Sequence, residues 1–249
     1  MNIVIIGGSG LIGKQLAALL RQAGHGVTPA SPSTGVDSVS GLGLAQALHG
    51  ADVVVDVTNS PSFGDEAVMS FFKASTRNLL KAEAEAGVRH HVALSVVGAE
   101  RLPASGYLRA KVAQESLIQA GPVPYTIVRA TQFFEFMKSI AQAGTQGLAV
   151  HLSSALLQPV AAADVAAALA DVATQAPLNG TCEVGGQQAL PLDELIRGVL
   201  HARNDPREVI TDAEAPYFGA RLSERSLTAG PQARIGRITL EAWLASQAG

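Results

Sequence analysis

Three side chains in the middle of this sequence have the types and spacing for acid–base work on a carbonyl group. Tyr107 and Lys111 stand four residues apart, so on a helix they share one face. Ser95 lies twelve residues before Tyr107, at the end of the apolar run Arg89 to Val97. A tyrosine can protonate a developing alkoxide when its pKa of about 10 falls toward neutrality. A neighbouring ammonium supplies that fall by favouring the phenolate. A serine hydroxyl can then hydrogen-bond the substrate oxygen as charge builds on it. The plainer alternative is a surface helix on which Lys111 pairs with Glu115.

A second group of residues sits at the N-terminus, where Ile3-Val4-Ile5-Ile6 runs into Gly7-Gly8-Ser9-Gly10-Leu11-Ile12-Gly13. The pattern predicts a buried strand, a glycine turn and the start of an apolar-periodic helix. Such a turn presents backbone N–H groups at a helix N-terminus, where the dipole favours an anion. One glycine makes the tight turn, one lets the backbone approach a pyrophosphate, and one lets the helix pack on the strand. Two registers fit: Gly8-x-Gly10-x-x-Gly13 and Gly7-x-x-Gly10-x-x-Gly13. In either one, a dinucleotide is the expected ligand.

The elements needed to hold these residues alternate along the chain. Helical patterns cover about Leu11 to Ala23, Gly41 to His49, Asp65 to Ala86 and Tyr107 to Ala120. Strand patterns cover Val27 to Ala30, Ala51 to Val57, Arg89 to Val97 and Tyr125 to Ala130. Near-continuous apolar strands between helices predict an α/β fold, a doubly wound parallel sheet covered on both faces. Ligands of such sheets bind at the C-terminal ends of the strands. Beyond about Ala141 the pattern loosens, with helices expected at Ala162 to Thr174, Leu192 to Ala202 and Thr239 to Ser246. A strand is expected at Thr181 to Val184, and Asn204 to Ile235 reads as irregular. The expectation is a single domain over 1–249, with a dinucleotide-binding core to about residue 145 and a small substrate-side elaboration after it.

Composition narrows the function classes. Apolar residues make up 47% of the 249 positions and charged residues 16%, with a formal net charge of −3. No basic patch suits nucleic acid and no polybasic stretch suits a membrane surface. The N-terminal apolar run is too short to span a bilayer. A single cysteine, Cys182, excludes an intrachain disulfide and argues against a cysteine zinc site. His90, His91 and His151 lack metal-ligand spacing, so no metal is expected, and a reducing cytoplasm is the default location.

With these motifs in place, the chain resembles the short-chain dehydrogenase/reductase superfamily, in its atypical, NmrA-like branch. The resemblance is carried by Gly7 to Gly13, by Leu94-Ser95-Val96-Val97-Gly98 and by Tyr107-Leu108-Arg109-Ala110-Lys111. Val128 to Phe134 and Gln158-Pro159-Val160 with Asp164-Val165-Ala166 extend it, so that it runs from Met1 to roughly Leu200. It implies a Rossmann-type fold, a nicotinamide cofactor and the register Gly7, Gly10, Gly13. It further implies Tyr107 as acid/base, Ser95 as the family's serine, and Lys111 as the group that holds the nicotinamide ribose and lowers the tyrosine pKa. Ser9, Leu11 and Ile12 belong to the same cofactor turn. Some members of that branch sense the redox state of the cofactor without chemistry, and this chain keeps all three catalytic residue types.

The cofactor preference is read after the second strand, where an NAD site places an acid for the ribose 2′-OH. Here the sequence is Thr28-Pro29-Ala30-Ser31-Pro32-Ser33-Thr34. With no carboxylate to repel a 2′-phosphate, and with Ser31, Ser33 and Thr34 as hydroxyl donors, NADP(H) is expected over NAD(H). Lys14 is a further phosphate partner, Asp37 a weaker candidate at the adenine, and Thr58 is expected along the cofactor's edge. Ser31 and Ser33 equally suit plain turn stabilisation. Phe133-Phe134-Glu135-Phe136 and Tyr217-Phe218 suit an apolar pocket for a small carbonyl substrate, although Phe134 also suits packing on the sheet. The expected function is NAD(P)H-dependent reduction of a small carbonyl compound. A cofactor-binding redox sensor comes second and a nucleotide-sugar epimerase or dehydratase third.

Overall fold

The structure, a computed structural model, describes residues 1–247. In chain order its elements begin β1 (Asn2–Ile6), α1 (Leu11–Gln22), β2 (Gly26–Ala30), α2 (Leu44–Ala47), β3 (Val53–Asp56) and α3 (Asp65–Ala86). They continue β4 (His90–Val96), α4 (Gly106–Gln119), β5 (Tyr125–Ala130), α5 (Met137–Ala143), β6 (Thr145–Gln146), β7 (Ala149–Leu152) and β8 (Leu156–Leu157). Last come α6 (Ala162–Ala173), β9 (Gly180–Gly185), β10 (Leu190–Pro191), α7 (Leu192–Ala202), β11 (Glu208–Thr211), β12 (Arg234–Ile235) and α8 (Leu240–Gln247).

Seven strands form one mostly parallel sheet in the order β12-β9-β5-β4-β3-β1-β2. The apolar runs of β1 and β3 pair in parallel, with Ile3 opposite Val53 and Ile6 opposite Asp56. Ile3 to Ile6 and Val53 to Val55 are all buried, as strands covered on both faces must be. Helix α1 buries Ile12, Leu16, Ala17 and Leu20, an i, i+4 stripe. This is the doubly wound α/β architecture the sequence predicts.

The chain divides into two compact units that interleave along the sequence: Met1–Ser95, Gly106–Arg129 and Val165–Cys182 in one, the remaining described stretches in the other. The first unit contains the glycine turn, α3 and α4. Helices α3 and α4 face each other through Val68, Phe72, Ala110 and Tyr107. The second contains the sheet β11-β7-β6, the pair β10-β8, and a cluster of Phe134, Ala161 and Trp243.

Two local expectations change. The helix expected over Gly41 to His49 is only Leu44–Ala47, because Gly41 and Gly43 hold left-handed φ angles of 81° and 75°. The stretch expected to be irregular, Asn204 to Ile235, contributes β11 and β12, which pair in parallel with β7 and β9. Strands of four and two residues are too short to register as a periodic pattern. Among the described residues, no helix is long and apolar enough to cross a membrane.

Candidate cofactor and catalytic site

The glycine turn follows β1 directly. Gly7 adopts φ +83°, and a Cβ there would come within 2.9 Å of the Val57 carbonyl oxygen. Gly8 lies against Pro29, where a Cβ would meet the ring carbon at 2.5 Å. At Gly13 a Cβ would strike the Gly7 carbonyl and lie 2.6 Å from Gly8 Cα, so this glycine lets α1 pack on the turn. Gly10 differs from the rest. It is exposed, and a Cβ there would meet only the Gly7 oxygen, at 3.3 Å.

The turn is held by Gly7 N and Gly8 N donating to Ala30 O at 2.9 and 3.1 Å, and by Gly10 N donating to Gly7 O at 3.0 Å. The first bond of α1 runs from Lys14 N to Gly10 O, which leaves the amides of Leu11, Ile12 and Gly13 without an intrahelical acceptor. No side chain caps this end and its first turn holds no acid. An uncompensated positive helix end beside an open Gly10 suits a pyrophosphate. Ser9 and Leu11 are exposed beside it, and Ile12 and Gly13 are buried.

At the end of β2, Ser31 is buried and opens a short 3-10 turn over Pro32–Thr34. Its N–H donates to Thr34 Oγ1 at 2.9 Å, and its hydroxyl lies 2.8 Å from that of exposed Ser33. Both serines therefore support the turn, and no carboxylate occurs from Thr28 to Thr34. Asp37 accepts from Ser40 Oγ at 2.8 Å and Val39 N at 2.9 Å, bonds that hold its carboxyl below the usual range. Lys14 is exposed on the second turn of α1. Past β3, Thr58 is half-buried and gives both its N–H and its hydroxyl to Asp56 Oδ1, at 2.9 and 2.7 Å.

Tyr107 and Lys111 lie on the inward face of α4, around the ring of Phe72 from α3. The Tyr107 ring sits 6.1 Å from that of Phe72, and Lys111 Nζ lies 4.4 Å from the Phe72 centroid. Phe63, 65% exposed, comes within 5.8 Å of the Tyr107 ring. Burial pushes the Tyr107 phenol up to about 12, opposite to the fall toward neutrality expected from Lys111, whose amine is turned to Leu94 and Gln114 instead. Lys111 is only 2% exposed, and burial pulls its amine down to about 8 against the opposing pull of Asp56 and Glu115. Its N–H groups go to Leu94 O at 2.8 Å and to Gln114 Oε1. The amine thus has protein partners of its own rather than forming a surface pair with Glu115.

Ser95 faces a different partner. Its hydroxyl donates to Glu115 Oε1 at 2.5 Å, and Glu115 is clamped by Arg129 through Nε at 3.0 Å and Nη2 at 2.6 Å. The hydroxyl hydrogen that a substrate oxygen would need is committed to a buried carboxylate.

Sequence reasoning missed Asp56, Phe72 and Gln114. Asp56 is 1% exposed, and its Oδ2 accepts from Gln114 Nε2 at 2.9 Å. A carboxylate closing the run Val53-Val54-Val55 was the visible signal, since an acid ending a buried strand demands a partner. Gln114, three residues after Lys111, shares that residue's helix face. The aromatics of the C-terminal half behave differently from one another within the second unit. Phe134 is buried against Trp243 at 5.5 Å, whereas Phe133 stacks on exposed Phe136 at 5.3 Å. Tyr217 and Phe218 form an edge-on pair 4.8 Å apart.

A family model described as NAD(P)H-binding matches residues 34–176. Among solved structures, MoeE5 in complex with UDP-glucuronic acid and NAD is 18% identical with a TM-score of 0.75, covering 98% of this chain and 97% of that one. UDP-glucose 4-epimerase from Thermus thermophilus, in complex with NAD, is 20% identical with a TM-score of 0.71, covering 91% and 92%. The dTDP-4-dehydrorhamnose reductase of Bacillus anthracis, in complex with NADP, is 17% identical with a TM-score of 0.68, covering 96% and 91%. At these identities the likeness is one of fold. No curated protein matches the sequence.

Proposed function

The chain belongs to the NAD(P)H-binding family of atypical short-chain dehydrogenase/reductase proteins, and from that premise we propose that it reduces a small carbonyl compound, with Tyr107 as the proton donor. The observation that carries the reading is the shared placement of Tyr107 and Lys111 around Phe72, with the phenol half-buried and the amine fully so. The amides of Leu11, Ile12 and Gly13 would hold the cofactor's pyrophosphate, with Gly10 leaving room for it and Thr58 available along the cofactor's edge. The absence of any carboxylate from Thr28 to Thr34 supports NADP(H) over NAD(H). The bound dinucleotide supplies the reducing equivalent.

Burial keeps Tyr107 protonated at neutral pH, which is the form reduction requires. An alkoxide is a far stronger base than a phenolate, so the proton passes downhill from Tyr107 Oη to the substrate oxygen. Water then reprotonates the phenolate, while the Lys111 ammonium, still charged at neutral pH, packs on the same Phe72 ring as Tyr107. An epimerase begins instead with a tyrosinate acting as base, and burial of Tyr107 works against that form. For Ser95 to assist the substrate oxygen, its hydroxyl must turn away from Glu115.

A redox sensor that binds the dinucleotide without turnover is the second reading. It is favoured by the prior commitments of Lys111 to Leu94 and Gln114 and of Ser95 to Glu115. The two readings separate in a panel of aldehydes and ketones assayed with NADPH and NADH. Under the reductase reading, Tyr107→Phe lowers turnover by about 100-fold or more while NADPH binding is retained. Turnover untouched by that change removes Tyr107 from the chemistry, and binding without turnover of any compound favours the sensor.

A further inference from the structure

Three polar groups, half-buried Thr58 with buried Asp56 and Gln114, connect the neighbourhood of the glycine turn to Lys111. Asp56 pairs across the sheet with Ile6, the residue before Gly7. Its Oδ1 takes both Thr58 bonds, its Oδ2 takes the Gln114 amide, and Gln114 Oε1 accepts from Lys111 Nζ. Lys111 closes on the main chain of β4 at Leu94 O. Gln114 is a neutral spacer with one donor and one acceptor used, and it joins a buried carboxylate to a buried ammonium.

Stability does not account for this chain. Taking a carboxylate and an ammonium out of water is costly, and apolar residues of similar volume commonly do as well or better. Apolar side chains line part of this interior: Val54, Val55, Phe72 and Ala110 are all fully buried. A charge pair kept in such a place, with one end beside the glycine turn and the other on an amine that shares the Phe72 ring with Tyr107, points to a task.

We propose that Asp56 and Gln114 are positioning residues that hold Lys111 as an ammonium in a fixed orientation and couple its state to Thr58 at the cofactor edge. The inference rests on the proposed cofactor-dependent function. Asp56 supplies the negative charge, Gln114 relays it, and Thr58 registers occupancy of the dinucleotide. The other charged groups facing this interior are Glu115 of α4, paired with Arg129 and adding its own pull on Lys111, and the buried pair of His91 on β4 with Glu83 on α3. Removing the Asp56 charge leaves only Glu115, held by Arg129, acting on Lys111.

The test reads Lys111 directly, with no substrate. Lys111 is one of five lysines, so protein labelled with 13C-lysine gives a short spectrum in which Lys111→Arg assigns its Cε signal. In the full-length protein, Asp56→Asn is expected to lower the Lys111 titration midpoint by about one pH unit. Gln114→Glu, which keeps the volume and adds a charge, is expected to raise it. NADPH affinity, followed by cofactor fluorescence across the same pH range, is expected to fall at a correspondingly lower pH in Asp56→Asn. A Lys111 midpoint unchanged in both variants overturns the proposal. If Asp56→Asn does not fold, the rise or its absence in Gln114→Glu decides. A midpoint that moves in a protein that reduces no carbonyl compound keeps the positioning chain and removes only the reductase reading. Loss of turnover in Tyr107→Phe with an unmoved midpoint does the reverse.

Discussion

Ser95 Oγ donates a hydrogen bond to Glu115 Oε1 at 2.5 Å, and the same oxygen also accepts from Arg129 Nε. A serine in this position anchors a buried carboxylate. Ser95→Ala leaves Glu115 its two bonds to Arg129, so the expected loss is about 1 kcal/mol of stability with turnover within about threefold of the parent. Urea denaturation beside steady-state kinetics checks it. A fall in kcat of about 100-fold with little change in stability returns Ser95 to the substrate oxygen.

The glycines of the turn separate folding from binding. Gly13→Ala drives a methyl into the Gly7 carbonyl and Gly8 Cα, both backbone atoms that cannot yield, and a clear drop in Tm is expected. Gly10→Ala meets only one oxygen at 3.3 Å and points outward, so Tm stays near that of the parent. NADPH affinity falls by about tenfold or more in Gly10→Ala because the methyl stands where the backbone meets the pyrophosphate. Equal NADPH affinity in Gly10→Ala and the parent, by calorimetry, contradicts the placement.

Lys111 gives stability a pH dependence whose sign follows from burial. Its amine titrates near 8 in the folded protein and at its ordinary value of 10.5 when unfolded. Between those values the unfolded chain binds the extra proton, so stability rises as pH increases from about 8 toward 10.5. Tyr107 acts oppositely, because its phenol sits near 12 when folded and ionises first in the unfolded chain above about pH 10. Urea midpoints are therefore expected to climb from about pH 7.5 to about pH 9.5, with the climb absent in Lys111→Met. A climb that persists in Lys111→Met assigns it to another group.

Ser31→Asp tests cofactor choice. The position opens a 3-10 turn, where an aspartate keeps the acceptor that such a start prefers. The new carboxylate faces a 2′-phosphate with like charge, so NADPH affinity drops by about tenfold or more while NADH is held or gains. Parallel titrations with both cofactors decide it, and equal loss of both removes Ser31 from the discrimination.

Six of the seven strands of the main sheet, all but β12, and the glycine turn are legible in the sequence alone. Ile3 to Ile6 and Val53 to Val55 are too apolar to lie anywhere but between covering layers, and Gly7 to Gly13 leave little choice of local backbone. The i, i+4 spacing likewise placed Tyr107 and Lys111 on one face before any contact was known. Partnership was decided only by the tertiary structure. Ser95 meets Glu115, Lys111 meets Gln114 and Leu94, and Asp56 meets Gln114 across 58 positions of sequence. Periodicity reports which face of an element is buried, a local property of the backbone. Which polar group answers which inside the core depends on how α3, α4 and the strands come together, and no spacing along the chain encodes those distances.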